Sequence, residues 1–172
     1  MQPVIRDARP SDARRFEEIR IAGWKSAYAG IFAADFLDDL AVEDERVTQR
    51  EAWLADLPQH HVMLVAELDG GVVGGAILTP SRDHDLPEAA ELLALYIDPD
   101  LRSNGIGTAL MDAGFARLPQ PLHTLWTLED NTAARRFYER HGFVADGVQK
   151  TFERAAGSGN PVEIRYRRRR LG

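Results

Sequence analysis

Val4 to Ala8 alternates apolar and polar positions and stops before Pro10, which predicts a short, half-exposed strand. The period then changes. Phe16, Ile19, Gly23 and Trp24 recur at helical spacing out to about Tyr28, with Ser11 or Asp12 as the capping residue. Gly30 breaks that pattern, and further helices are predicted over Ala33–Leu40, with Phe36, Leu37 and Leu40 inward, and over Val42–Ala55. His61–Leu68 and Val72–Thr79 read as antiparallel strands joined by an Asp69-Gly70-Gly71 turn. Pro80–Glu88 is a polar connector. Glu91–Met111 reads as a buried strand, a Pro/Asp loop, and a glycine-punctuated turn that opens a helix with Ile106, Ala109, Leu110 and Ala113 on one face. Leu122–Thr127 is the next strand. Asn131 caps a helix carrying Ala134, Phe137, Tyr138 and His141, and Gly142 closes it. Phe143–Gln149 and Val162–Arg168 are strands separated by the loop Ala155–Pro161, with Ile164 and Tyr166 inward and Arg165 and Arg167 outward.

Neither an internal repeat nor a linker interrupts this order, so residues 1–172 are expected to form one domain. Apolar residues at 44% and charged residues at 28% place it among water-soluble globular chains. Met1–Asp12 is charged, and the longest apolar run, Val72–Leu78, is too short to span a bilayer, so no membrane segment is expected. The chain has no cysteine, which removes disulfides, thiolate metal sites and a cysteine acyl-enzyme and fits a reducing cytoplasm. His60 and His61 are adjacent on a strand and face opposite ways, a poor metal pair and better read as solvated edge residues.

Charge is unevenly distributed along the chain. The net charge is −6, yet Arg165–Arg170 holds five arginines; without those five, 16 basic residues face 27 acidic ones, a balance of −11. An acidic body disfavours a nucleic-acid surface and favours a cationic small molecule or peptide as partner.

The candidate chemistry lies in Glu91–Met111. A helix N-terminus carries unpaired N–H groups and partial positive charge, Gly105 and Gly107 let an anion approach the backbone, and Arg102 adds a fixed cation. Leu110 stands where a dinucleotide fingerprint needs its third glycine, and the two lysines, Lys25 and Lys150, are far from any Walker position. What stands is Arg102-x-x-Gly105-x-Gly107.

That motif resembles the pyrophosphate signature of the GNAT superfamily of acetyl-CoA-dependent N-acetyltransferases. Asn131-Thr-Ala-Ala-Arg-Arg-Phe-Tyr138-Glu-Arg-His-Gly-Phe143 is similar to a second segment of that family. The resemblance covers nearly the whole chain and implies an α/β fold, a mixed, mostly antiparallel twisted sheet of about seven strands flanked by helices. It implies acetyl-CoA as donor, an amine of a small molecule or peptide as acceptor, and no metal. It also implies that Arg102, Ser103, Asn104, Gly105, Ile106, Gly107 and Thr108 hold the pyrophosphate, with backbone contacts from Leu95, Tyr96 and Ile97 and a side-chain contact from Asn131 to the coenzyme arm. Ser103, where many relatives have glycine, occupies a free position of the signature and is expected to matter little.

Tyr138 is then the candidate acid for the departing thiolate, since a phenol of pKa ~10 can protonate a thiolate of parent pKa ~8.5. Glu91 is either the base that takes a proton from the amine or a solvated strand-start carboxylate. Trp24, Tyr28, Phe32 and Phe36 fall at steps of four. Trp24 and Phe36 read as core, while Tyr28 and Phe32 read equally as core or as the wall of an acceptor pocket. Arg82, Asp83, His84 and Asp85 in the polar connector are further acceptor-side candidates. A non-catalytic acyl-CoA-binding module is the alternative function, and the arginine tail leaves a nucleic-acid binder as a third. Monomer and homodimer both stay open.

Overall fold

The computed structural model describes residues 2–152 and 160–170. Its strands are β1 (Val4–Asp7), β2 (Val62–Leu68), β3 (Gly71–Pro80), β4 (Ala89–Ile97), β5 (Leu122–Leu128), β6 (Val144–Thr151) and β7 (Val162–Arg169). Its helices are α1 (Ala13–Ala27), α2 (Ala34–Asp38), α3 (Asp44–Ala55), α4 (Ile106–Ala116) and α5 (Thr132–Arg140). The strands form a single seven-stranded sheet in the order β1-β2-β3-β4-β5-β7-β6. Neighbours run antiparallel except β4 and β5, which are parallel. This is the mixed, mostly antiparallel α/β fold expected from the sequence. No helix among the described residues is long and apolar enough to cross a membrane.

Local chemistry accounts for some of the element ends. Asp69 and Gly70 both take positive φ, so the β2–β3 connection has the twist of a tight hairpin turn. Asp12 occupies the position before α1, but its carboxylate accepts from the Arg9 N–H at 2.7 Å and from Arg6, so it caps no helix N–H. Ala33–Leu40 is helical only from Ala34 to Asp38. The predicted loop Ala155–Pro161 lies, up to residue 159, outside the described residues.

The sheet is covered on both faces. Leu64, Leu78, Leu92 and Leu125 pack with Ile106, Leu110, Met111 and Phe115 of α4 and its approach. On the opposite face Met63, Ile77, Ala94 and Tyr96 meet Phe16 of α1 and Trp53 and Leu54 of α3. Close approach there depends on Gly75: a Cβ at that position would stand 2.7 Å from the Phe16 ring.

Two irregularities shape the centre of the sheet. Ile77 pairs with Ala94 and Leu78 with Leu92, so Leu93 is an extra residue that bulges β4. The β4–β5 pairing covers only Ala89–Leu92 against Leu122–Leu125. Beyond Leu92 the two parallel strands part, and among the described residues the β5-facing backbone edge of Leu93–Ile97 has no strand partner.

The alternation that placed Arg165 outward fails. Arg165 is 3% exposed, and its guanidinium bonds Asp83, Asp85 and Asp146. Arg168 is buried too and donates to the His141 carbonyl at 2.8 Å, while Arg170 donates to the Leu118 carbonyl. Three of the five tail arginines are therefore fastening groups rather than a free basic patch.

Candidate active site

The parted strands open into a cleft of about 2030 Å³ lined by β4, both helical layers and the start of α4. At one end lies the Arg102–Thr108 turn. Gly105 sits at φ +77, the left-handed region, as the residue before α4. Gly107 answers a different need, since a Cβ there would come within 3.4 Å of the Phe137 ring and crowd α5 against α4. Ser103 also has positive φ, +67, which gives a physical reason for glycine at this position and corrects the expectation that serine there is without consequence.

Among the described residues, no backbone N–H from Arg102 to Thr108 has a protein acceptor; the next bond in the chain is Ala109 N–H onto the Gly105 carbonyl at 3.0 Å. Such a run of unpartnered donors at a helix start suits an anion. The Arg102 guanidinium, by contrast, is tied to α1, donating to Ser26 Oγ at 3.0 Å and to the Gly23 carbonyl at 3.4 Å. It lines the cleft but braces the loop against the C-terminal turn of α1. Arg136 and Arg140, at unspecified positions of the second motif, also line the cleft and were missed by the sequence reading.

His141 supports this end. Its Nδ1 is 2.7 Å from the Phe137 carbonyl, which can only accept, so the proton sits on Nδ1. Nε2 then accepts from the Thr108 hydroxyl at 3.0 Å and joins the C-terminus of α5 to the first turn of α4.

Asn131 caps α5, its Oδ1 accepting from Ala134 N–H at 3.2 Å. Two turns on, Tyr138 lines the cleft between edge contacts with Phe137 and Phe143. Its hydroxyl has no hydrogen-bond partner among the described residues. Burial, and then the nearby Tyr96, push its pKa above the ordinary phenol range, so the proton stays on oxygen. Tyr28 is raised for the same reasons, burial first and then Tyr96 and Tyr138. Tyr96 accepts from Trp24 Nε1 at 3.1 Å. All three tyrosines line the cleft.

The aromatic stripe divides. Trp24 and Tyr28 line the cleft, whereas Phe32 is 4% exposed, packed among Trp24, Phe36 and Phe152, and outside the lining. His84 is exposed and also outside the lining. Asp83 and Asp85 are taken up by Arg165, and Asp83 also accepts from Trp126 Nε1 at 3.0 Å. Of the four connector candidates, Arg82 alone reaches the cleft.

Glu91 is 1% exposed and faces the cleft. It is not a solvated residue. Arg82 binds both of its oxygens: the backbone N–H and Nε to Oε2 at 3.1 Å each, and Nη2 to Oε1 at 2.7 Å.

The charge of the lining reverses that of the chain. Arg20, Arg46, Arg50, Arg82, Arg102, Arg136, Arg140 and Lys150 line the cleft against two carboxylates, Glu91 and Glu163. The expectation of a cationic partner, drawn from the acidic body, is not supported by this surface. Arg46, Arg50 and Trp53 were missed, although their spacing of four and three residues places them on one face of α3.

Comparison with known proteins agrees with this arrangement. Residues 25–143 match the family model described as acetyltransferase (GNAT) family. A protein named a probable N-acetyltransferase in Mycobacterium tuberculosis is 28% identical over 164 residues, 95% of this chain and 91% of that protein. A mycothiol acetyltransferase of Geodermatophilus obscurus is 45% identical over 79 residues, 44% of this chain and 26% of the relative. In fold the chain is similar to the PaiA N-acetyltransferase of Thermoplasma acidophilum, solved in complex with coenzyme A, with a TM-score of 0.75 and 19% identity over 99% of this chain and 100% of that one. It is similar also to YncA of Salmonella typhimurium, solved with acetyl-CoA, with a TM-score of 0.71 and 21% identity over 98% of this chain and 94% of that one. With its family match spanning well over half the chain and both motif segments meeting in one cleft, the protein belongs to the GNAT family of acetyltransferases.

Proposed function

We propose that the protein transfers an acetyl group from acetyl-CoA to a primary amine, and that the amine attacks directly while both substrates are bound. The observation that carries this reading is the run of unpartnered N–H groups from Arg102 to Thr108, which shares one cleft with the open edge of β4 and the unpartnered Tyr138 hydroxyl. The residues fit a coenzyme. The turn suits a pyrophosphate, and an unpaired strand edge suits an amide-bearing arm, which can bond as an added strand.

In this reading the N–H groups of Arg102, Ser103, Asn104, Gly105, Ile106, Gly107 and Thr108 hold the pyrophosphate. Arg102 stiffens the loop, and Arg136 and Arg140 add positive charge. The backbone of Leu95, Tyr96 and Ile97 binds the arm, and Asn131 serves both as helix cap and as arm contact. Acetyl-CoA supplies an acetyl group on a good leaving group, a thiolate. Tyr138 holds its proton at neutral pH and gives it to the departing sulfur. A backbone N–H of the bulged β4 segment polarises the carbonyl under attack. The chain has no cysteine, which suits direct attack rather than a thiol acyl-enzyme.

Glu91 is the buried carboxylate available to the amine's proton; Arg82 occupies both acceptor positions of Oε2 and one of Oε1, which leaves the second lone pair of Oε1 to take it. Glu91→Gln tests the point: an unchanged acidic limb of kcat/KM would assign the proton to water instead. The reading as a whole is tested by release of free thiol from acetyl-CoA against a broad amine panel. Coenzyme binding without release on any amine would leave a binding module in its place.

A further inference from the structure

Glu17, Arg20, Arg46 and Arg50 form a cluster on the α1–α3 face of the sheet, the face opposite α4. Glu17 is 1% exposed, and three guanidinium groups converge on it. Arg20 Nε and Arg46 Nε donate to Oε2 at 2.6 and 3.0 Å, and Arg50 Nε donates to Oε1 at 2.8 Å. All three bonds use Nε. Among the described residues no Nη atom of these arginines has an acceptor, and all three side chains line the cleft.

One buried carboxylate needs no more than one or two cations. Three leave a local charge of +2 in a place of low exposure, where side-chain accessibility is 10% for Arg20 and 14% for Arg50. Unpaired charge in such a place is costly to desolvate, and a second anion would offset that cost. The arginines are also held in direction. Arg50 lies 4.9 Å over the Phe16 ring and Arg20 5.7 Å over the Trp24 ring. A guanidinium fixed at Nε presents its two Nη groups as a fork, the shape that matches a carboxylate or phosphate.

Position separates this site from the coenzyme's own anionic groups. Strand register puts Ile77, Thr79 and Glu91 on the same sheet face as Phe16 and Trp53, so the cluster shares a face with Glu91. The pyrophosphate turn belongs to α4, on the other face. Resting on the acetyl-transfer reading, we propose that the acceptor amine carries an anionic oxygen group, a carboxylate or a phosphate, and that Arg46 and Arg50, positioned by Glu17, bind it.

The test is thiol release from acetyl-CoA with matched amines: amino acids against their carboxamides, and O-phosphoethanolamine against ethanolamine. The expected result is a kcat/KM at least tenfold higher for one anionic member than for its neutral partner, the winning pair telling carboxylate from phosphate. Arg46→Gln should collapse that ratio through KM, and Arg46→Lys should restore part of it. Arg46 is the variant of choice because it is the most exposed of the three, at 35%, and leaves two arginines on Glu17. A parallel titration follows inorganic phosphate and N-acetylglutamate binding to the coenzyme A-saturated protein, with a loss of at least tenfold expected in Arg46→Gln. Neutral amines turned over as well as their anionic partners would overturn the proposal. So would anions that fail to bind, or that bind wild type and Arg46→Gln alike. Anion binding that depends on Arg46, without turnover of any amine, would keep the anion site and overturn acetyl transfer. Should Arg46→Gln fail to fold, the wild-type amine pairs decide alone.

Discussion

Replacing Glu17 by glutamine removes one charge from the centre of four and leaves its shape. The glutamine carbonyl still accepts from one arginine, but its amide N–H groups then point at donors. Removing one partner of a buried ion pair costs ~3–5 kcal/mol, and the retained acceptor places this change near ~3 kcal/mol. For a domain of this size each kcal/mol moves the melting temperature by roughly 2–4 °C, so a drop of about 6–12 °C is expected by circular dichroism at pH 7. The pH dependence gives a second check. Burial alone would raise the Glu17 carboxyl, but the Arg20 hydrogen bond and the charges of Arg20 and Arg50 hold it below its ordinary 4.5. A value depressed in the folded state means stability that is present above the unfolded value and lost as pH falls through the folded one. The gap between wild type and Glu17→Gln should therefore be widest near neutrality and close on acidification below pH 4.5. A variant within about 1 kcal/mol of wild type at pH 7 would refute the argument, as would a gap equally wide at both ends of the pH range.

Tyr138→Phe should lower kcat by ~10²–10⁴ with KM for acetyl-CoA nearly unchanged, as expected for loss of a proton donor. In the wild type the alkaline fall of kcat should come above the ordinary phenol range, because burial and Tyr96 raise this group. Gly105→Ala should cost ~1–2 kcal/mol in a urea titration and weaken coenzyme binding, although its Cβ meets nothing within 4 Å, because φ is +77; Gly105→Asn, which tolerates that region, should cost less. Gly114→Ala sets a helix-propensity gain of ~1 kcal/mol against a Cβ placed 2.3 Å from Leu78 Cδ1; overpacking at ~1–3 kcal/mol should win, and a stabilised variant in the same titration would show that α4 can lift from the sheet without loss.

Sequence periodicity revealed the order of elements because each run obeys one period and ends at a residue with a reason to stop it. Asp69-Gly70 demanded a tight turn, the Gly105 and Gly107 pair a turn that opens α4, and Asn131 an N-cap, and each stands where its local chemistry put it. The glycine turn into α4 and the two-turn spacing that puts Asn131 and Tyr138 on one helix were legible for the same reason, being local features. What escaped were groups defined by distant partners. Arg165 meets Asp83 and Asp85, 82 and 80 residues away, after the connector folds over β7. Strand alternation identifies an outward residue only where that face is left to solvent. Glu91 stood open between base and surface residue because the sequence does not say that Arg82, nine positions earlier, folds back to grip both its oxygens.

The charge reading missed the sign of the cleft lining for a related reason. Net charge is an average that describes the field several Debye lengths out, where the screening distance is ~8 Å at physiological salt. Five of the chain's 27 acids, Asp35, Asp38, Asp44, Glu45 and Glu51, sit at exposed positions of α2 and α3. There water and salt weaken each charge. Arg46 and Arg50 belong to the same helix as three of those acids, yet they turn the other way, onto Glu17 and into the cleft. One helix thus carries an acidic outer face and a basic inner one, and composition sums the two to a number that describes neither. Interaction strength grows as water is excluded, so a ligand inside the cleft responds to the inner face. The sign of the charge that the cleft presents here follows from which side of α3 a residue occupies, and that is set by the 3.6-residue period together with the position of Glu17 on α1.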